Sequence, residues 1–231
     1  MSTLKAVLWD LDGTLIDSEP LWFEAIDSMV TSFGGTWTDE DHQTTIGSHL
    51  PDTATQLQQM GVGLSSQAII DRLTSHVADG FEQTRPFAPG ALELVQCCNA
   101  AGLAQALVTM SVSSFADRFC LIMSEHLPDG FGAVITGDVV SNGKPHPEPF
   151  LNAAEALGVA PGDCVAIEDS PTGVASAMAA GVPTVAVVNL ALVEPQPGLS
   201  RVTSLTELDS DQLRSIHSGQ TIDLVGASVN D

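Results

Sequence analysis

A short apolar run that ends in two carboxylates, near the start of the chain, constrains the fold more than any other feature. Ala6 to Trp9 is apolar throughout, as is typical of a central parallel strand covered on both faces. Asp10 and Asp12 follow it, and Gly13 lets the backbone bend so that both acids can face one site. Ligands of open α/β sheets lie beyond the carboxyl ends of strands, and a close acid pair there needs a proton or a cation. An acidic turn that caps a helix is the simpler alternative.

The stretch from residue 17 to residue 86 contains no strand pattern. Apolar residues recur at helical spacing over residues 21–33, 52–60 and 66–81. Roughly 70 residues of mostly helix are far more than a usual crossover between parallel strands. We therefore predict two domains, an α/β core of residues 1–16 and 87–231 and a helical cap of residues 17–86, inserted after the first strand.

Strand and helix patterns alternate after residue 86. Apolar strands are predicted at residues 104–109, 131–136, 164–167 and 184–188, with helical stretches between them. Repeated units of this kind imply right-handed crossovers and a doubly wound, mostly parallel sheet with helices on both faces. Residues 205–216 are predicted to be helical, and the end of the chain is left open between an edge strand and disorder.

The chain is strongly acidic, which excludes several classes of partner. It has 29 acidic residues against seven lysines and arginines, a net charge of −22, whereas nucleic acids and anionic membranes attract basic surfaces. No apolar run reaches the roughly 18 residues of a membrane span, and the first residues do not resemble a signal peptide. The four cysteines include no C-x-x-C pair and are expected to be reduced thiols. We expect a cytoplasmic monomer or weak dimer that acts on a small molecule.

Polar residues also end two later strands. Thr109 closes the second predicted strand, Glu168 and Asp169 follow a later one, and Lys144, one of only two lysines, lies in a proline-containing loop. On a parallel sheet these groups share one edge, so they should converge with the first acid pair. Carboxylates, a hydroxyl and an ammonium together suit Mg²⁺ beside a phosphate. Taken singly, each has a structural explanation: a hydroxyl bonded to backbone, a solvated lysine, and acids at a helix N-terminus.

The ordered set of motifs resembles that of the haloacid dehalogenase-like superfamily, whose members include phosphohydrolases with an aspartate nucleophile. Residues 10–14 match its D-x-D-G-T motif, and the other three motifs match at Thr109, Lys144 and the pair Glu168 and Asp169. A helical insertion after the first motif resembles the cap of β-phosphoglucomutase-like proteins and of sugar- and hexitol-phosphate phosphatases. Such a cap is expected to move and to exclude water from the site.

The resemblance implies a role for each acid. Asp10 would attack phosphorus and form an aspartyl-phosphate, while Asp12 would protonate the leaving oxygen and then activate the hydrolytic water. Mg²⁺ would be bound by the Asp10 side chain, the Asp12 carbonyl and Asp169, with Glu168 as a further metal partner.

The resemblance also implies which groups hold the phosphoryl oxygens. Thr109, the backbone amide of Met110 and Lys144 would contact them. The chain departs from common patterns at Trp9, where phenylalanine is usual, and at Met110, where asparagine or alanine is often found. Neither departure removes a group that the chemistry uses, since Trp9 is expected in an apolar layer and Met110 would contribute its amide.

Three alternatives compete with a phosphatase of small phosphomonoesters. A β-phosphoglucomutase-like sugar phosphomutase is the first, but such mutases use a cap histidine where Trp22 stands. They also use a cap arginine shortly after a glycine, whereas His49 and Leu50 follow Gly47 here. Dehalogenases of the superfamily lack the acid that Asp12 supplies. A phospho-accepting receiver domain has its acceptor on a middle strand and no long insertion after the first.

The inserted residues also carry a prediction about the substrate. Residues 17–86 hold eleven acids, and Arg72 and Arg85 are their only lysine or arginine residues. A second phosphate or a nucleotide's polyanion would find few partners there. We therefore predict a monophosphate with a neutral, hydroxyl-rich body, such as a sugar or polyol phosphate.

Overall fold

The computed structural model describes residues 3–38, 40–41, 44–45, 50–189 and 191–226. Its strands are β1 (Ala6–Trp9), β2 (Ala104–Val108), β3 (Ala133–Ile135), β4 (Cys164–Glu168), β5 (Thr184–Val187) and β6 (Leu199–Val202). They form one sheet in the order β3-β2-β1-β4-β5-β6, and each neighbouring pair is parallel. The strand order reverses direction at β1, as in doubly wound sheets. The predicted α/β fold is confirmed.

The chain divides into two units. One comprises Met1–Asp17 and Phe87–Asp231 and contains the whole sheet, and we call it the α/β unit. The other, Ser18–Pro86, is helical in its described elements, and we call it the helical unit. The main α-helices are α1 (Glu19–Ser32), α2 (Leu50–Gln59), α3 (Ser66–Thr84), α4 (Ala91–Ala100), α5 (Ser113–Met123), α6 (Glu148–Ala156), α7 (Pro171–Ala179) and α8 (Ser210–His217).

β1 is the strand that positions the first acid pair. All four of its residues are fully buried, as expected of a central strand in a doubly wound sheet. Trp9, its last residue, pairs with Leu107 of β2 and with Ile167 of β4. Asp10 therefore leaves the sheet level with the ends of both neighbouring strands, where polar groups from distant parts of the sequence can meet.

Trp9 is accommodated by a polar partner inside the core. Its indole Nε1 donates to Gln105 Oε1 at 2.9 Å, and Gln105 Nε2 donates to the carbonyl of Val95 at 3.1 Å. Trp9 and Gln105 are both buried. A buried indole N–H needs such an acceptor, so the apolar layer expected around Trp9 contains one buried amide side chain.

The helical unit is held together by apolar contacts between α1 and α3. Leu21 and Ile26 of α1 are buried, as are Leu73 and Val77 of α3. Gly80 of α3 leaves room for Leu21, since a Cβ on Gly80 would lie 2.8 Å from Leu21 Cδ2. The apolar stripes seen in the sequence therefore face one another.

The residues of β6 do not follow a strand pattern in the sequence, because Ser200 and Arg201 separate its two apolar residues. Arg201 is nevertheless buried. Its guanidinium donates to Asp223 Oδ2, with Nη2 at 2.8 Å, and to the carbonyl of Val193 at 2.9 Å. A charged residue inside a sheet is stable only with such partners, and these come from segments that the strand pattern does not include.

The helix predicted at residues 205–216 is shorter in the structure. Leu205–Glu207 form a 3-10 turn, and α8 begins only at Ser210. Asp209 caps α8, since its Oδ1 accepts from the amides of Asp211 at 2.9 Å and Gln212 at 2.8 Å. An aspartate in this position ends the preceding turn and starts a new helix.

Neither a disulfide nor a membrane helix occurs in the described residues. All four cysteines are free, with Cys98 and Cys164 buried and Cys97 and Cys120 partly exposed. None of the described helices combines the length and the apolar character that crossing a bilayer would require. The cytoplasmic location and the monomeric or weakly dimeric state stay predictions.

Candidate active site

The carboxyl ends of β1 and β4 bring three carboxylates together. Asp10 follows β1, Glu168 ends β4 and Asp169 follows it. In this part of the described chain, one carboxylate oxygen of each residue lies within 4.8 Å of the others, and all three residues are buried. Gly13 permits this approach, because it has a φ of +81° and a Cβ there would overlap Asp169 Oδ2. The acids that the sequence places at strand ends therefore converge.

Lys144 lies among these acids. Its Nζ donates to Asp10 Oδ1 at 2.6 Å, to Glu168 Oε1 at 2.5 Å and to the carbonyl of Val108 at 2.8 Å. Its side chain is 3% exposed, and Nζ lies 5.3 Å from the centre of the Phe150 ring. Lys144 is therefore not a solvated loop lysine, and it joins the ends of β1, β2 and β4.

The site carries more negative than positive charge. Burial and the Glu168 carboxylate raise the pKa of Asp10 to about 7, although Lys144 acts in the opposite direction. Burial, Asp10 and Glu168 likewise raise the pKa of Asp169 well above its ordinary value. Burial alone would lower the pKa of Lys144, but Asp10 and Glu168 raise it overall. One ammonium does not offset three carboxylates, and this imbalance is typical of functional sites.

Glu168 differs from the other two acids because both of its oxygens are already bonded. Oε1 accepts from Lys144, while Oε2 accepts from the amides of Asp169 and Ser170, each at 3.0 Å, and from the Ser170 hydroxyl at 2.9 Å. These donors lie at the N-terminus of α7, which favours a carboxylate. A Cβ on Gly173 would overlap this carboxylate. The geometry suits Glu168 best to holding Lys144 and the turn between β4 and α7.

Asp12 and Thr109 are connected through Ser111, which the motif pattern does not single out. Asp12 is half-buried, and its Oδ2 accepts from the Ser111 hydroxyl at 2.6 Å. The Ser111 amide donates to Thr109 Oγ1 at 2.9 Å. Thr109 is buried at the end of β2 and accepts here from backbone, as its structural explanation requires. Its hydroxyl keeps a hydrogen with which to donate to a ligand.

The side chain of Met110 packs against the loop that carries Lys144. Its Sδ accepts from the Lys144 amide at 3.4 Å. A Cβ on Gly143 would lie 2.4 Å from the Met110 methyl group, so the two residues are in close contact and a side chain there would make Met110 shift. Methionine, where asparagine or alanine is common, therefore contributes packing in addition to its backbone amide.

The same loop is fixed at two further points. Glu148 accepts from the amides of Ser141 at 2.6 Å and Asn142 at 3.0 Å. The Ser176 hydroxyl of α7 donates to the carbonyl of His146 at 2.6 Å. These bonds hold the backbone on both sides of Lys144, so the position of its ammonium is set in advance.

Two residues near the site have no part in the sequence predictions. Asn189, which follows β5, donates from Nδ2 to the carbonyl of Gly13 at 2.9 Å. Asp138, which follows β3, accepts from the Ser113 amide at 3.0 Å and the Thr136 hydroxyl at 2.6 Å. Each follows a strand, as the predicted site residues do, so strand-end polarity was the signal that could have found them.

The donor atoms at this edge fit a divalent cation. Asp10 and Asp169 supply carboxylate oxygens close to one another, and both pKa values are raised, first by burial and then by the neighbouring carboxylates. Oxygen-only donor sets suit hard cations such as Mg²⁺. A buried acidic cluster that can hold a metal ion is therefore present, as the sequence predicts.

A family model of haloacid dehalogenase-like hydrolases matches residues 7–187. The chain belongs to this family. Hexitol phosphatase B of Escherichia coli strain K12 is 33% identical over 223 residues, which cover 91% of this chain and 96% of that relative. The predicted resemblance and the enzyme class, a phosphoric monoester hydrolase, are confirmed by the family and by its phosphatase-named relatives.

Two solved structures support the fold. CbbY from Rhodobacter sphaeroides in complex with phosphate aligns with a TM-score of 0.79 and 23% identity, covering 88% of this chain and 96% of that chain. β-Phosphoglucomutase from Clostridium difficile aligns with a TM-score of 0.75 and 20% identity, covering 93% and 97%. At these identities the likeness concerns the fold, and it covers nearly all of each chain.

Proposed function

We propose that this hydrolase is a Mg²⁺-dependent phosphatase whose substrate is a small phosphomonoester, namely a sugar or polyol monophosphate. The observation that carries the proposal is the contact of Lys144 with Asp10 inside a buried cluster of acids. A nucleophilic carboxylate beside an ammonium and a cation site is what phosphoryl transfer needs, since the reaction is mainly positioning and charge compensation.

Asp10 is the proposed nucleophile. One of its carboxylate oxygens forms a bond to phosphorus as the bond from phosphorus to the leaving oxygen breaks, which gives an aspartyl-phosphate. Asp12 gives its proton to the leaving oxygen and then takes a proton from the water that attacks the phosphorus and restores Asp10. Asp12 suits this role because it is half-buried and can exchange protons with solvent, whereas Asp10 is buried.

The other groups hold charge and position. Asp10, the Asp12 carbonyl and Asp169 would hold Mg²⁺, with Glu168 adjoining them. When bound, Mg²⁺ would offset the charge of the phosphoryl oxygens and favour the ionised form of Asp10. In the proposed mechanism, hydrogen bonds to those oxygens come from the Thr109 hydroxyl, the Met110 amide and the Lys144 ammonium.

The substrate class follows from charge and from the relatives. Residues 17–86 hold eleven acids against Arg72 and Arg85, so a second phosphate has few cationic partners in this stretch. Hexitol phosphatase B, by its name, acts on phosphorylated hexitols. We therefore propose a monophosphate on a neutral, hydroxyl-rich body.

A sugar phosphomutase is the second candidate, because β-phosphoglucomutase shares the fold. Trp22 stands where mutases of this kind use a cap histidine, which argues against it. The other difference, at Gly47 and His49, lies outside the described residues. Following a hexose 1-phosphate by phosphorus NMR separates the two functions: free phosphate supports hydrolysis, and a hexose 6-phosphate would support the mutase.

The test of the proposed function is a panel of phosphorylated metabolites assayed for phosphate release with Mg²⁺ and with EDTA. We expect turnover of hexitol and sugar monophosphates that requires Mg²⁺. A preference for bisphosphates or nucleotides would contradict the proposed substrate class. Equal turnover in EDTA would contradict the metal requirement.

A further inference from the structure

Ser111 joins two residues of the proposed mechanism, although it belongs to none of the four motifs. Its hydroxyl donates to Asp12 Oδ2 at 2.6 Å, and its amide donates to Thr109 Oγ1 at 2.9 Å. Its carbonyl accepts from the amide of Gly137 at 3.1 Å. Ser111 is buried while Asp12 is only half-buried. The residue is thus held by backbone bonds on both sides and presents its hydroxyl to one carboxylate.

We propose that Ser111 is a positioning residue that orients Asp12 for proton transfer to the leaving oxygen. The inference rests on the proposed function, in which Asp12 is the general acid. Holding Oδ2 sets the plane of the carboxyl group and limits the directions in which its other oxygen can point. Proton transfer needs hydrogen-bond geometry to the leaving oxygen, and the bond from Ser111 narrows the rotamers that the half-buried Asp12 carboxyl group can adopt.

The same hydrogen bond favours the proton transfer itself. As the bond between phosphorus and the leaving oxygen breaks, Asp12 gives up its proton and becomes a carboxylate. Hydrogen bonds to a carboxylate are stronger than those to a neutral acid. Ser111 keeps its own proton throughout and stabilises the charge that appears on Asp12. It therefore acts on the step that the leaving group's basicity controls.

Substrates whose leaving groups differ in basicity distinguish a positioning role from a purely structural one, because a purely structural change would affect both substrates equally. p-Nitrophenolate leaves without protonation, whereas the alkoxide of glycerol 1-phosphate requires a proton. For Ser111→Ala we expect kcat/KM, which reports the steps up to departure of the leaving group and not the later hydrolysis of the aspartyl-phosphate, to fall about tenfold or more on glycerol 1-phosphate, because a hydrogen bond to a charged group is lost. On p-nitrophenyl phosphate we expect kcat/KM to fall by no more than about twofold.

Ser113→Ala is the matched control, since Ser113 lies in the same segment and its hydroxyl bonds Asp138 and Thr136 rather than Asp12. This variant should leave the ratio of kcat/KM for the two substrates unchanged. Ser111→Ala combined with Asp12→Ala should lose nothing beyond Asp12→Ala alone, because the effect passes through Asp12. If Ser111→Ala does not fold by its thermal melt, Ser111→Cys takes its place, with the same preferential loss on glycerol 1-phosphate expected.

The outcomes separate this inference from the proposed function. If Asp12→Ala spares kcat/KM for p-nitrophenyl phosphate but Ser111→Ala reduces kcat/KM for both substrates equally, Ser111 does not act through Asp12 and the inference fails alone. A further loss in the double variant has the same meaning. If Asp12→Ala reduces kcat/KM for both substrates equally, Asp12 is not the general acid, and the proposed mechanism and the inference fail together.

Discussion

The α/β unit and the helical unit differ in the buried groups they contain. In the α/β unit, charged side chains such as Asp10 and Lys144 are buried and bonded to one another. Among the described residues of the helical unit, the buried polar side chains are the uncharged ones of Ser18, Thr53 and Thr74. Buried charges require fixed partners, so the α/β unit is built around its site while the helical unit depends on apolar packing. Substitutions at the site should therefore abolish chemistry, and substitutions in the helical unit should mainly change stability.

The largest expected effect comes from replacing one aspartate by asparagine, and the same replacement in the helical unit provides the comparison. Asp10→Asn should lower kcat by at least about 10³-fold, because an amide cannot attack phosphorus. The same change at Asp71, an exposed acid of α3, should leave turnover near the wild-type rate. Phosphate release from p-nitrophenyl phosphate measures both, with circular dichroism as the check on folding. Substantial turnover by folded Asp10→Asn would exclude the nucleophilic role.

The two lysines provide the second comparison, this time within the α/β unit. Lys144→Ala should lower kcat by about 10²-fold, because it removes the charge that faces Asp10 and the phosphoryl oxygens. Lys5 pairs with Asp163 at 2.8 Å, but its side chain is 53% exposed. Lys5→Ala should change the free energy of unfolding by at most about 1 kcal/mol and leave kcat unchanged. Similar kinetics for the two variants would show that Lys144 is only structural.

Two glycines with the same backbone conformation sharpen the comparison of the units. Gly13 has a φ of +81° and Gly34, in the helical unit, has a φ of +80°. Gly34→Ala meets no atom within 4 Å, so it should cost only the strain of this conformation, about 1–2 kcal/mol. Gly13→Ala should cost more and reduce turnover, because its Cβ would displace Asp169. Urea unfolding and Mg²⁺ titration of activity measure the two effects, and equal costs would contradict the close approach.

The last expected effect is a pH dependence of stability without metal. Burial and Glu168 raise the pKa of Asp10 from 3.8 to about 7. The folded state therefore binds this proton more tightly than the unfolded state. The resulting stability is fully present below pH 3.8 and is lost as the pH rises through about 7. In EDTA, Asp10→Asn should thus become more stable relative to the wild type between pH 5 and pH 8. A constant difference in melting temperature would contradict the raised pKa.

The convergence of the site could be predicted from the sequence because it depends on strand ends alone. Once Asp10, Thr109 and Asp169 are placed after parallel strands, the sheet brings them to one edge whatever the rest of the chain does. The same reasoning predicts the central position of β1 from its apolar run. Parallel pairing and burial on both faces are properties that a short pattern records.

Individual bonds within the site could not be predicted in this way. Whether Glu168 binds a metal or holds Lys144 depends on atoms from three segments that approach within hydrogen-bonding distance. The sequence does not show whether the Ser111 hydroxyl points towards solvent or towards a site. In the fold it donates to Asp12. β6 could not be predicted for the same reason: Arg201 is buried there only because it pairs with Asp223, which lies 22 residues away in the sequence.

The bond between Trp9 and Gln105 couples the histories of two positions. Loss of the amide at residue 105 would leave the indole nitrogen without an acceptor, at a penalty of about 1–3 kcal/mol. Phenylalanine at residue 9 would instead leave Gln105 Oε1 without its donor, while Nε2 keeps its bond to Val95. Either replacement alone is costly, but once one has occurred the other costs little. These two positions should therefore change together, and an ancestor with phenylalanine at residue 9 should also have had an apolar residue at position 105.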